Sequence, residues 1–240
     1  MVSMGGCKTL ENVTLIQPGD NVQKRTQTAL IKSKPGDIIE FAEGEFYFTI
    51  TLSLDVENVT IRGQGPNKTV LNFENQETGG GGEGLLVTKE GFTLENLAIE
   101  DSRGDAVKVE DVKRITFSNV RIEWTTDSDS TNGGYGFYPV KCDDVLIENC
   151  TAIGASDAGI YVGQCKNVIV RNNIARKNVA GIQIENTVGA DVYGNIVKDN
   201  TGGMMVFTLP NLPRKEGRHC RVFGNVISSN NRDNFARKGT

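Results

Sequence analysis

The chain has 240 residues, 26 Lys and Arg against 30 Asp and Glu, one His, and a formal charge of −4. With 38 % hydrophobic and only 7 % aromatic residues, 28 Gly and 6 Pro, it is neither a collagen, a Pro-rich linker nor a disordered chain, and it suits one large domain or two small ones. Its mild acidity argues against a sequence-independent nucleic-acid binder, which needs a basic surface, and it contains no run of about 18 apolar residues to span a membrane.

Residues 1–17 form an N-terminal segment. The opening MVSMGGCKTL lacks the apolar stretch of a signal peptide. Its small-small-Cys ending at Cys7 is loosely similar to a lipoprotein cleavage site with the leader cut away; an arbitrary start is the plainer reading. The five cysteines, Cys7, Cys142, Cys150, Cys165 and Cys220, are an odd number without a CxxC or HxxxH pair. Neither a disulfide scaffold nor a structural zinc site is expected. Next, PGDNVQKRTQTALIKSKPGD (18–37) predicts a capping helix at about 21–33. Asp20 or Asn21 is placed to cap it, Val22, Thr26, Ala29 and Leu30 lie on one side, and Pro35-Gly36 stops it. IIEF (38–41) and FYF (46–48) begin the first strands.

A five-residue pattern then recurs: VTIRG (59–63), FTLEN (92–96), ITFSN (115–119), VLIEN (145–149), VIVRN (168–172), DVYGN (191–195) and RVFGN (221–225). The period is about 23 residues, with insertions of about 7 to 10. A second pattern interleaves with it, a small residue followed by alternating apolar positions: GLLV (84–87), AVKV (106–109), GFYPV (136–140), GIYV (159–162), GIQI (181–184) and GMMV (203–206). No helical period survives. A strand–turn–strand unit of that length cannot bury its own apolar face and must stack on its neighbours. The expected fold is all-β: a single parallel β-helix over 18–235, with the helical cap before it and a tail at 236–240.

Equivalent positions should form ladders. Val59, Phe92, Ile115, Val145 and Val168 make one. Ile61, Leu94, Phe117, Ile147, Val170, Tyr193 and Phe223 make a second. Asn96, Asn119, Asn149, Asn172, Asn195 and Asn225 make a polar one at the strand end, where stacked amides bond from coil to coil. Cys142 and Cys165 should be stacked neighbours in a reduced ladder. After RVFGN the chain is polar. Phe223 and Val226 are the residues expected to be under-covered at the end. Either the tail 228–240 folds across it, with Phe235 and Ala236 as cover, or two copies stack end to end as a homodimer; the tail's composition favours self-association.

The helix closed by KPGDIIEF-AEGEFYF, followed by VTIRGQG and Asn-ended repeats, resembles the right-handed parallel β-helix proteins of the pectin-lyase-like superfamily. ASDAGIYVGQ…VIVRNN…AGIQIEN looks most like bacterial β-helix repeat proteins grouped with mannuronan C5-epimerases and related polysaccharide enzymes. The resemblance covers about 18–235. It implies a right-handed solenoid, an extended carbohydrate partner, and an extracytoplasmic or secreted setting. This chain lacks the epimerases' DPHD-type catalytic motif, its one histidine, His219, lies in an insertion, and it has no unambiguous carboxylate cluster for Ca²⁺. Related proteins also tend to be longer.

Insertions at 74–83 (ENQETGGGGE) and 125–135 (TTDSDSTNGGY) precede their Gly-led strands, and a third at 208–219 (TLPNLPRKEGRH) follows one. They should stand as walls on opposite edges of one sheet. The floor between them is expected to be Lys108, Tyr138, Tyr161, Gln183 and Met205, with Glu110 and Glu185 two residues further along. Tyrosines over a long groove suit sugar rings, which offer apolar faces and hydroxyls; they also stack on one another for stability alone.

Asp157 reads as a general base or as a turn cap, and Trp124 as a stacking platform or as packing. Asp127 and Asp129 in DSDSTNGG weakly suggest Ca²⁺, but the EF-hand spacing is broken; no cofactor is expected. Gly-rich GGGGEG is a flexible tip, not a phosphate loop. Epimerisation or β-elimination of a uronate needs a base, a proton donor and a group that neutralises the carboxylate. Asp157 with Tyr161, and Lys108 or Lys141, are the candidates. The first functional reading is therefore a polysaccharide-binding protein that also modifies its ligand, epimerase- or lyase-like; the alternative is a non-catalytic structural or surface scaffold.

Overall fold

The computed structural model describes residues 12–77 and 82–237. The Cys7 reading and most of the GGGG tip lie outside them. Two parallel sheets wind around one apolar interior. The long sheet runs from Val13–Ile16 through Ile38–Phe41, Thr60–Arg62, Thr93–Glu100, Lys113–Glu123, Asp143–Glu148, Lys166–Arg171 and Val188–Tyr193 to Arg221–Phe223. Short strands Thr151–Ile153, Ile174–Arg176, Ile196–Lys198 and Val226–Ser228 stack beside its later members. The second sheet stacks Leu52–Leu54, Leu85–Val87, Val107–Glu110, Tyr135–Val140, Ala158–Gly163, Ala180–Glu185 and Gly202–Phe207. Coil after coil visits both sheets, which makes a single parallel β-helix. Its sheet starts earlier than expected, because Val13–Ile16, inside the segment set apart as 1–17, pairs with Ile38–Phe41.

The helix, α1, spans Val22–Lys32 and buries Val22, Thr26 and Leu30. Its capping differs from expectation. Asn21 sits at the N-cap in a left-handed conformation and makes no side-chain cap bond. The glutamines of α1 serve the sheet instead. Gln23 Oε1 accepts from the amides of Thr49 and Ile50, and Gln27 bonds both the N–H and the C=O of Ser53 at 2.9 Å. They satisfy backbone groups at the edge of the first strand in the second sheet, which would otherwise be open to pairing.

The early coils are filled by rings. Phe41 and Phe46 meet edge-on at 5.0 Å, and Phe117 contacts Phe92 at 6.2 Å and Phe137 at 5.3 Å. The later coils replace rings with Val, Ile, Ala and Cys. Cys142 and Cys165 are buried, free and adjacent, as the register Asp143↔Lys166 requires.

The ladder assignment needs one correction. Val170 pairs with Val192 and then Val222, while Arg171 pairs with Tyr193 and then Phe223. This coil is one residue shorter than its predecessor, so Tyr193 and Phe223 lie on the outer face, where their rings stack at 5.0 Å. The asparagines split accordingly. Asn96, Asn119, Asn149 and Asn172 occupy a left-handed turn row that continues as Gly194 and Gly224; the backbone favours these residue types there, and the expected coil-to-coil amide bond joins Asn119 Nδ2 to Asn96 Oδ1 at 2.8 Å. Asn195 and Asn225 belong to the next row, with Asn173. Asn195 Oδ1 accepts from the amide and the side chain of Asn173, and its own Nδ2 donates to Val170 O at 2.9 Å. A parallel ladder, Asn178, Asn200 and Asn230, closes the other end of the short strands.

The C-terminal tail does not cross the end of the solenoid. It runs back along the flank. Thr201 Oγ1 donates to Asp233 O, and the Arg232 guanidinium bonds Asp199 at 2.9 Å and Asp127 at 3.4 Å. Arg237 donates to the carbonyls of Ser130, Thr131, Asn132 and Arg103 at 2.9–3.2 Å. Phe235 is half-buried on this path. The last coil therefore keeps apolar side chains open: Val222 is 44 %, Phe223 51 % and Val226 58 % exposed. Among the described residues no helix is long and apolar enough to cross a membrane.

Candidate functional site

Strand alternation divides the second sheet into an inner and an outer face. In Ala158–Gly163, Ile160 and Val162 join the main core, whereas Tyr161 belongs to a separate cluster with Ala158, Ala180, Tyr135 and Tyr138. The register aligns Lys108 with Tyr138, and Tyr161 with Gln183 and then Met205. The pairing Phe137↔Ile160 sets Tyr138 beside Tyr161. The expected floor is thus one continuous row, with Glu110 and Glu185 two residues on. Its two rings form a triangle with Tyr135, from the start of the Tyr138 strand, with centroids 4.5 Å (Tyr135–Tyr138), 4.8 Å (Tyr135–Tyr161) and 5.0 Å (Tyr138–Tyr161) apart.

Tyr161 lies flat along its own strand. A Cβ at Gly163 would stand 2.2 Å from the Tyr161 hydroxyl, so glycine there makes room for the ring. The hydroxyl bonds Glu185, which neighbours Gly163 in the next coil. Tyr161 is consequently only 6 % exposed, with Tyr138 and Tyr135 more open above it. Burial pushes the phenols of Tyr161 and Tyr135 far up, and that of Tyr138 up to about 12. All three stay protonated at neutral pH. Tyr161 is therefore a hydrogen-bond donor to Glu185 rather than the proton acceptor or the partner of Asp157 that the sequence suggests.

Asp157 is a half-buried neighbour of Tyr135. It bonds the Tyr135 hydroxyl and receives a bond from Gln183 Nε2 at 3.5 Å. Beside it stands a residue the sequence reading passed over. Asp105 Oδ1 accepts the Tyr135 amide at 3.1 Å, and burial raises its carboxyl to about 6, against the pull of that bond and of Lys108. A repeated signal marked it: Asp105-Ala106 opens one Gly-led strand as Asp157-Ala158 opens another.

The lysines are committed elsewhere. Lys141 Nζ lies 3.1 Å and Lys108 Nζ 3.7 Å from the Glu110 carboxylate, and Lys108 also sits 5.6 Å from the centre of the Tyr138 ring. The bond from Lys141 holds Glu110 below the usual carboxylate range. Among the described residues no cation pairs with Glu185; burial raises it, and the Tyr161 hydroxyl offsets part of that.

The insertions stand on opposite edges, as expected. Gly104 N donates to Gly82 O, and Asn132 Nδ2 to Gly154 O, holding the first two at the head of the strands. The third packs on the turn row at the other edge, with Asn186 bonding Leu209 and Arg214 O, and Gln164 accepting the Arg214 amide. Trp124, at the root of the second insertion, is a correction: it is 4 % exposed, sits in the core, and donates its indole N–H to Ser102 O at 2.6 Å. It offers no open ring face to a sugar. Asp127 is paired with Lys177 and Arg232, and Asp129 accepts from Thr131 in a turn. Among the described residues no three His, Cys, Asp or Glu side chains converge as metal ligands.

A concavity of about 860 Å³ lies elsewhere, over the outer face of the long sheet, and includes His219. Among its charges Arg221 pairs with Asp191, Arg114 reaches out to Glu90, and Asp144 accepts from Asn167 Nδ2 at 3.1 Å; no aromatic ring stands among its lining residues. The tyrosine face has unpaired carboxyls and ring surface together, and it is the better site.

A family model described as right handed beta helix region matches residues 53–234. No curated protein matches the chain. Among solved structures, the A-module of the Azotobacter vinelandii mannuronan C-5 epimerase AlgE4 aligns at 16 % identity and TM-score 0.60, over 77 % of this chain and 55 % of that one. The catalytic unit of a GH87 α-1,3-glucanase from Streptomyces thermodiastaticus aligns at 17 % and 0.57, over 80 % and 37 %. A polygalacturonase from Erwinia carotovora aligns at 14 % and 0.51, over 87 % and 82 %. The chain thus spans about half or less of the first two, and likenesses at these identities establish the fold.

Proposed function

Since the chain belongs to the right-handed β-helix family, we propose that it binds an extended polysaccharide along the groove over its second sheet. The observation that carries this reading is the unbroken outward row Lys108, Tyr138, Tyr161, Gln183 and Met205, walled by insertions at both edges. A β-helix repeats at about 4.8 Å per coil, close to the spacing of successive sugars in an extended chain, so equivalent side chains can meet equivalent units. Tyr138 offers a ring to an apolar sugar face, and Gln183, Glu185 and Asp157 offer acceptors to hydroxyls. An extracytoplasmic setting goes with this reading, as does its likeness to polysaccharide-acting proteins of the same fold.

Modification of the bound chain rests on Asp105. A carboxyl near 6 both holds and releases a proton close to neutral pH. Asp157, tied to the Tyr135 hydroxyl, is the second carboxyl beside it. The test is retardation in polysaccharide-loaded gels, with alginate, pectin and neutral glucans as probes. The same mixtures are followed for unsaturated products, reducing ends and proton exchange at C5. Tyr138→Ala should weaken binding about tenfold, roughly 1.4 kcal/mol, with little change in melting temperature. Asp105→Asn should abolish any product while binding persists. Unretarded migration in every gel would leave the scaffold reading.

A further inference from the structure

We infer that the groove takes an uncharged glycan in preference to a uronate polymer. This rests on the groove being the binding site. The charged groups gathered at it are Glu83, Asp105, Glu110, Asp157 and Glu185 against Lys108 and Lys141. Recognition of a uronate needs a cation free to meet each buried carboxylate, because a carboxylate that leaves water unpaired loses its hydration without compensation. Both lysines are already turned onto one acceptor. Lys141 and Lys108 bracket the two oxygens of Glu110, at 3.1 Å and 3.7 Å.

Nor does the wall at 208–219 supply a substitute. Arg214 is held by Asp143 at 3.4 Å and Arg218 by Glu216 at 2.8 Å. Lys215 is exposed on the insertion that packs on the turn row, off the floor. What remains on the floor is acceptor-rich. Asp157 receives Tyr135 and Gln183, and among the described residues Glu185 is met by the Tyr161 phenol and by no cation. Carboxylates with spare lone pairs suit sugar hydroxyls, which donate, and repel sugar carboxylates. The tyrosine triangle adds surface that discriminates by shape rather than charge.

Polymers that differ only in charge test this. Polygalacturonate is compared with its fully methyl-esterified form, and alginate with its carboxyl-reduced form, by gel retardation and calorimetry on the whole chain. A neutral glucan and a mannan complete the panel. The expected result is that each neutral form binds at least tenfold more tightly than its acidic parent. Glu110→Gln, which frees Lys108 and Lys141, should narrow that ratio at least threefold by strengthening uronate binding. Equal or tighter binding of the acidic forms, still lost in Tyr138→Ala, overturns the inference and leaves the groove standing. Binding of no polymer, or binding that Tyr138→Ala leaves intact, overturns the groove and the inference together. An unfolding melt of each variant identifies loss of structure, and Glu110→Asp, which keeps the ion pairs' charge, should retain the parent's ratio.

Discussion

Asp105→Asn is expected to stabilise the protein by an amount that grows with pH. Burial raises the Asp105 carboxyl from 3.8 to about 6 in the folded chain. The folded state therefore holds this proton more tightly than the unfolded one. Its favourable contribution is complete below about pH 3.8 and is lost as pH rises through about 6. A shift of about two units, at ~1.4 kcal/mol each, means that ionised Asp105 costs the fold about 3 kcal/mol at neutral pH. Asparagine is uncharged, and its Oδ1 can still accept the Tyr135 amide. The stability difference between variant and parent should rise by about 2 kcal/mol between about pH 4 and pH 7.5, most of it between about pH 4 and 6. Urea unfolding at constant ionic strength measures it. A difference that is flat with pH, or that grows toward acid, would refute the claim that this carboxyl is held in its neutral form by burial.

Asn195→Ala removes a side chain that bonds Asn173 N and Val170 O, and should cost about 2–4 kcal/mol because both backbone groups are left buried and unpaired. Asn172→Gly, in the left-handed row one residue away, should change stability by less than about 0.5 kcal/mol; equal losses in urea melts would mean that the two rows are not distinct. The open edge of the last coil predicts a scattering mass that rises with concentration and returns to the monomer's in Val222→Lys; a monomeric mass at every concentration for the parent would show that the edge does not pair.

The fold was legible because an apolar residue at every second position, repeated each coil, has few ways to be buried. Val59, Phe92, Ile115, Val145 and Val168 stand in one inward line as their spacing requires. The register of the last two coils was not, because the shared final Asn of VIVRN and DVYGN hides a one-residue deletion. Only backbone pairing reveals that Gly194, not Asn195, takes the left-handed turn. The outward row of the groove followed from alternation alone. Its depth did not, since nothing in the order of residues says that the ring of Tyr161 would lie down over Gly163 and be covered by Tyr135. Trp124 illustrates the same limit: a large ring beside a loop can turn inward or outward, and the carbonyl of Ser102 in the previous coil decides it. Asp105 was visible in the repeated Asp-Ala, but its raised pKa is a property of the walls around it.

The path of the tail changes how such a stack comes apart. In a linear array each unit leans only on its neighbours, so fraying starts at the free end and proceeds one step at a time. Here residues beyond the final coil are moored near Asn132 and Arg103, several steps upstream. The terminal coil is held back while Arg232 and Arg237 keep their moorings, and the second insertion they grip has its own anchor in the Asn132 amide on Gly154 O. Local opening at one end is thereby converted into an event that reaches the middle. A ribbon of successive, nearly independent layers behaves in its last half as a closed loop, with a single threshold for opening where an unstrapped stack would show a gradient.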